Sequence, residues 1–117
     1  MINWKRVYDA PAEDDGYRVL VDRLWPRGIK KCDLACDEWC KTLAPSTELR
    51  KAFHSGTLDF AAFTEQYRAE LAGQREDSKR LAALAKTQNL TLLYAAKNSG
   101  QNHAQVLAAW LGDMVNA

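Results

Sequence analysis

The stretch Tyr17-Arg18-Val19-Leu20-Val21-Asp22-Arg23-Leu24-Trp25-Pro26-Arg27-Gly28 decides how this chain is read. Tyr17, Val19, Leu20 and Val21 are aromatic, β-branched or aliphatic, the side chains of a buried strand, so a strand is expected over 17–24. Pro26 has no N–H to give a strand ladder and Gly28 permits a turn with positive φ, so the strand is expected to end there. Two arginines and an indole are then left where a sheet meets its loop, the place at which open α/β folds bind ligands.

A second apolar run, Leu90-Thr91-Leu92-Leu93-Tyr94-Ala95-Ala96, reads as a strand covered on both faces. It passes into the polar loop Lys97-Asn98-Ser99-Gly100 and then a helix start at Gln101-Asn102-His103. Helix N-termini attract anions through unpaired N–H groups and the helix dipole, and Ser99 is expected to cap this one. If the two strands are parallel, their C-terminal ends share one edge. Arg23, Trp25 and Arg27 then face Lys97, Asn98 and His103 across a cleft. On the bland reading of the same residues, Ser99 only caps, Asn102 and His103 are solvated, and Arg23 or Arg27 pairs with Asp9, Asp22 or Asp37.

Elsewhere, Ile2, Trp4, Arg6 and Tyr8 alternate with Asn3, Lys5 and Val7, a short strand over about 2–8. The loop from Asp9 to Gly16 is shorter than the usual dozen or so residues of a parallel crossover, which leaves the relative direction of the first two strands open. A helical region is expected after Asp33, with Leu34, Trp39 and Leu43 on its apolar side. Pro45-Ser46 opens another helix with Ser46 as cap and Leu49 and Phe53 facing inward, and His54 reads as its end residue. Phe60, Phe63, Tyr67 and Leu71 mark an amphipathic helix between Thr57 and about Ala72. Leu81, Leu84 and Ala85 mark one over 76–86, and Val106, Leu107, Trp110, Leu111 and Met114 a last one over about 101–115. This order of elements predicts a single α/β domain over 1–117. It is a small three-layer unit with a short, mostly parallel sheet flanked by helices.

The 117 residues suffice for one core, and 47% hydrophobic against 26% charged residues is ordinary globular composition. A net charge of +1 argues against a protein that coats DNA, although Arg23, Arg27, Lys30 and Lys31 form an acid-free basic segment. No apolar run approaches the length of a membrane span and no signal-peptide core is seen, so a cytoplasmic protein without a membrane partner is expected. Three cysteines, an odd number, fit a reducing compartment. Cys32, Cys36 and Cys40 would align on a helix, yet this spacing is a weak metal signal, and neither a metal nor a cofactor is expected. No G-x-G-x-x-G, P-loop or G-x-S-x-G pattern occurs, and the position after the strand at 90–96, where a sulfurtransferase- or phosphatase-like loop needs cysteine, holds Lys97.

Arg6-Val7-Tyr8-Asp9, the run from Gly16 through Asp22-Arg23-Leu24-Trp25-Pro26-Arg27-Gly28, Asp37-Glu38-Trp39, Pro45-Ser46-Thr47-Glu48-Leu49-Arg50-Lys51, Leu90 to Asn98 and Asn102-His103-Ala104 together resemble the YeaO-like family, a bacterial domain-of-unknown-function family. The resemblance implies a small α/β fold and a bacterial, cytoplasmic origin, and carries no reaction. Nothing in the family pattern requires Cys32, Cys36 or Cys40.

Three functions compete. In the first, a cleft binds an anionic small molecule or nucleotide: Arg23, Arg27 and Lys97 hold the anion, Trp25 and Tyr94 form walls, Asn98 and Asn102 add polar contacts, and Asp22 or His103 moves a proton if chemistry occurs. The second is nucleic-acid binding through the segment 23–31 with Trp25 stacking on a base. The third is a structural or partner-binding domain without catalysis.

Overall fold

The computed structural model describes residues 1–30, 34–97 and 101–116. Among these, four strands form one sheet: β1 (Ile2–Arg6), β2 (Tyr17–Leu20), β3 (Glu38–Trp39) and β4 (Leu90–Tyr94). Its order is β1-β4-β2-β3, with every pairing parallel. The helices are α1 (Thr47–His54), α2 (Phe60–Leu71), α3 (Arg75–Thr87) and α4 (His103–Val115). The expected α/β domain with a parallel sheet is thus what forms.

Strand alternation sorts the side chains into two cores. Val19, Val21, Leu90, Leu92 and Tyr94 join residues of all four helices in the larger core, including Leu49, Phe63, Tyr67, Leu81 and Leu107. Leu20, Leu93 and Val7 point to the other face, where Leu34 and the half-buried Trp25, Ile29, Cys36 and Trp39 cover them. The helical layer therefore lies on one face, and connecting segments make up the layer on the other.

β1 and β2 are both parallel to β4, which lies between them, so the direction left open by the sequence is settled. Their connection, residues 7–16, crosses β4 without a full helix. It is fastened instead by polar contacts: Thr91 Oγ1 donates to Asp15 O at 2.7 Å, Asn89 Nδ2 to Asp14 O at 2.8 Å, and Lys5 Nζ to the Asp15 carboxylate at 3.0 Å. Arg18 adds an ion pair to Asp15, which is buried. Burial alone would raise the Asp15 pKa, but the hydrogen bonds from Ala12 N–H, Lys5 and Arg18 outweigh it and hold the carboxyl below its ordinary value. Gly16 then enters β2 with φ +67, its Cα so close to Asn89 that a Cβ would lie 2.2 Å from the carbonyl oxygen.

Two expectations are corrected. The helix after Asp33 does not form over the described residues: 38–39 are strand and 41–43 a 3₁₀ turn. Leu34 and Leu43 lie in opposite cores, and the segment is drawn onto the sheet edge by Asp37 N–H to Arg18 O (2.7 Å) and Cys40 N–H to Leu20 O (2.8 Å). Cys36 and Cys40 accordingly serve opposite cores rather than one stripe, and Cys32 lies outside the described residues. Burial pushes both described thiols up, away from thiolate character. Secondly, β2 ends at Leu20, well before Pro26. The remaining helices match their patterns, with Ser46 capping α1 through Leu49 N–H and Asp59 capping α2 through Ala62 N–H. No helix among the described residues is long and apolar enough to cross a membrane.

Candidate functional site

The early end of β2 creates the site. β2 and β4 remain hydrogen-bonded through Val21 N–H to Leu93 O at 3.0 Å. The next rung of a parallel ladder would join Ala95 N–H to Val21 O. Side chains take it over. Asp22 Oδ2 accepts from Ala95 N–H at 2.9 Å, and Val21 O lies 3.0 Å from His103 Nε2. Asp22 Oδ1 lies 2.7 Å from the same nitrogen, which closes the gap between the two strand ends. Trp39 Nε1 donates to Asp22 O at 2.7 Å and holds that backbone from the opposite layer.

His103 is the first residue of α4 and is 8% exposed. Tyr67 and Tyr94 meet its ring edge-on, at centroid distances of 6.4 and 6.3 Å. Burial raises both phenols, Tyr67 well above the ordinary value, so they stay neutral at physiological pH. Asp22 and His103, the two candidate proton-moving groups, are therefore in direct contact on a fixed support.

Above this pair opens a cleft of about 730 Å³. Trp25, Arg27, Lys97, Asn102 and His103 line it, as do Asp22, Ala95 and Ala96. Arg23 borders a smaller adjoining recess of about 190 Å³ with Arg50 and His54. The two polar strand ends thus meet at one cleft. Asn98 lies outside the described residues, as does Ser99.

Several roles differ from the expected ones. The α4 cap is Asn102, whose side chain accepts from Gln105 N–H at 2.9 Å, because α4 begins at His103. Tyr94 is no wall of the cleft: its position on β4 directs it into the helix-side core, where it is 2% exposed and backs His103. Arg23 makes none of the carboxylate pairs considered for it. Its Nε donates to Pro45 O at 2.9 Å and straps the segment before α1 to the end of β2. Trp25 donates its indole N–H to Ile29 O at 2.6 Å and packs edge-on against Trp39, 5.2 Å away, so it braces the 25–29 turn while one side borders the cleft.

Arg27, Arg50 and Lys97 line the cleft with no ion-pair partner among the described residues. Asp22 is the one carboxylate lining it among those residues, and its oxygens are engaged by His103 and Ala95. The local excess is positive in a chain that is nearly neutral overall. Phe53 and Phe63, with ring centroids 4.4 Å apart, and Leu24 supply an apolar wall.

Sequence reading missed Arg50, Phe53 and His54 as cleft residues. Their spacing places them on one stripe of α1, a signal that was present, but only the tertiary position of α1 turns that stripe toward the strand ends. Among the described residues no group of three or more His, Cys, Asp or Glu side chains is arranged to hold a metal.

The chain matches, over residues 1–117, the family described as the inactive DUF488-N3 subclade. It is 66% identical over 110 residues to the uncharacterized protein YeaO of Escherichia coli (strain K12), covering 94% of this chain and 96% of that protein. Uncharacterized proteins of Mycobacterium tuberculosis and Mycobacterium bovis are 43% identical over 109 residues, 91% of this chain and 89% of theirs. No solved structure matches. The resemblance carried by the Asp22–Gly28 run therefore extends over most of the chain.

Proposed function

Because the chain belongs to the inactive DUF488-N3 subclade, we propose that it is a binding protein whose cleft, at the C-terminal ends of β2 and β4, takes an anionic small molecule such as a phosphate ester or nucleotide. The observation that carries this reading is the set of three cations, Arg27, Arg50 and Lys97, on a cleft whose lone lining carboxylate among the described residues is already engaged. A cation without a protein counter-charge in a concave site is suited to a ligand's oxyanion, and guanidinium groups suit planar two-pronged contacts. The apolar wall from Phe53, Phe63 and Leu24 leaves room for a ligand body beside the charge. A subclade described as inactive favours binding over turnover.

Nucleic-acid binding through residues 23–31 is supported less. Trp25, needed there as a stacking ring, is tied to Ile29 and Trp39, and Arg23 is spent on Pro45 O. Calorimetric titration with inorganic pyrophosphate, a nucleoside monophosphate and a short single-stranded oligonucleotide tests the choice. Saturable binding of the small anions, weakened in Arg27→Ala and Arg50→Ala, is expected. Binding of the oligonucleotide alone, with a steep loss in rising salt, would replace this reading with the nucleic-acid one.

A further inference from the structure

His103 Nε2 faces two acceptors at once, Asp22 Oδ1 at 2.7 Å and Val21 O at 3.0 Å. A backbone carbonyl has no proton to give, so the nitrogen must carry one. In the neutral ring Nδ1 then keeps a bare lone pair. Nδ1 has no hydrogen-bond partner among the described residues, and the ring borders the cleft. Asp22 cannot swing away, because its other oxygen is held by Ala95 N–H.

We propose that Asp22 and Val21 O lock His103 in the Nε2–H tautomer, so that Nδ1 is a hydrogen-bond acceptor on the cleft, and that the cleft selects ligands pairing an oxyanion with a hydroxyl or N–H donor. The selection rests on the anion reading above; the tautomer does not. Asp22 is a positioning residue in this scheme, acting through His103. Phosphorylated polyols, sugars and nucleosides have the required pairing, and simple alkyl phosphates lack it.

Two measurements test it. Long-range ¹⁵N–¹H correlation spectra of the free protein, recorded where the ring is neutral, should show His103 protonated at Nε2. In Asp22→Asn the amide oxygen keeps Ala95 N–H, which turns the amide –NH₂ toward Nε2 against the pull of Val21 O, so the share of Nδ1–H ring should rise above that of the wild type. An Nδ1–H ring in the wild type overturns the proposal. Calorimetry should then show glycerol 3-phosphate binding about 3- to 10-fold more tightly than propyl phosphate, the worth of one added hydrogen bond. This preference should vanish in His103→Phe. Equal binding of the two phosphates to the wild type overturns the selection and leaves the anion cleft standing. Failure of both to bind overturns the selection together with the anion reading, while the tautomer result still stands by itself.

Discussion

Asp22 Oδ1 and His103 Nε2 lie 2.7 Å apart, and this contact replaces the ladder rung at which β2 and β4 part. Asp22→Ala removes the acceptor of Ala95 N–H and leaves His103 Nε2–H with Val21 O alone, at a place where the Asp22 side chain is only 15% exposed. Leaving such a donor unpaired costs about 1–3 kcal/mol, so a loss of that size is expected. Urea unfolding with an unchanged m-value would measure it, and a loss under about 0.5 kcal/mol would show the pair to be incidental.

Arg27→Ala is expected to separate binding from stability. The side chain is exposed, and Tyr8 Oη donates at 3.0 Å to the Arg27 backbone carbonyl, a bond the substitution preserves. Unfolding free energy should stay within about 0.5 kcal/mol. Affinity for pyrophosphate should fall roughly tenfold or more, and Arg27→Lys should restore only part of it. A large stability loss with unchanged affinity would make Arg27 a structural residue.

Arg23→Ala should behave in the opposite way. It removes the strap to Pro45 O and so costs about 0.5–1.5 kcal/mol, with its effect on the cleft arising through the displaced α1 segment. Comparing thermal unfolding of the two arginine variants under identical conditions checks the contrast.

The Lys5–Asp15–Arg18 cluster should set part of the acid limit of stability. The folded pKa of Asp15 is depressed, so the unfolded chain binds its proton more readily. Its stabilisation is complete above the unfolded value of about 3.9 and is lost as pH falls through the lower folded value. Asp15→Ala should cost about 2–4 kcal/mol at pH 7 and flatten the fall in stability below about pH 4. Parallel acid profiles of wild type and variant would refute this if the two ran at a constant separation.

Gly16→Ala should destabilise by at least about 2 kcal/mol, because a Cβ meets the Asn89 carbonyl and the backbone sits at φ +67. Gly28 also has positive φ, but a Cβ there meets nothing within 4 Å, so Gly28→Ala should be milder. Chemical denaturation of the pair separates collision from backbone strain.

Much of the fold was legible from side-chain patterns. The apolar run 90–96 announced a strand covered on both faces, and every residue of β4 is buried. The spacing of Phe60, Phe63, Tyr67 and Leu71 announced α2 because only a helix puts those four on one side. Residues 34–43 were misread since Leu34, Trp39 and Leu43 suit neither period well, and long-range bonds to Arg18 and Leu20 overrode local preference.

Of the candidate site, the sequence by itself determined that charge and polarity gather just after two apolar strands, since strand ends are where burial stops. Only the tertiary structure decided which of those groups are bonded within the protein and which line the cleft. Arg23 and Arg27 are alike in sequence, yet one lies within reach of Pro45 O and the other does not. Arg50 joins the cleft because α1 packs there, and Asp22 meets His103 because β2 stops one rung early. A side chain's role follows from the partners brought within about 3 Å of it, and across this sheet those partners come from distant parts of the chain.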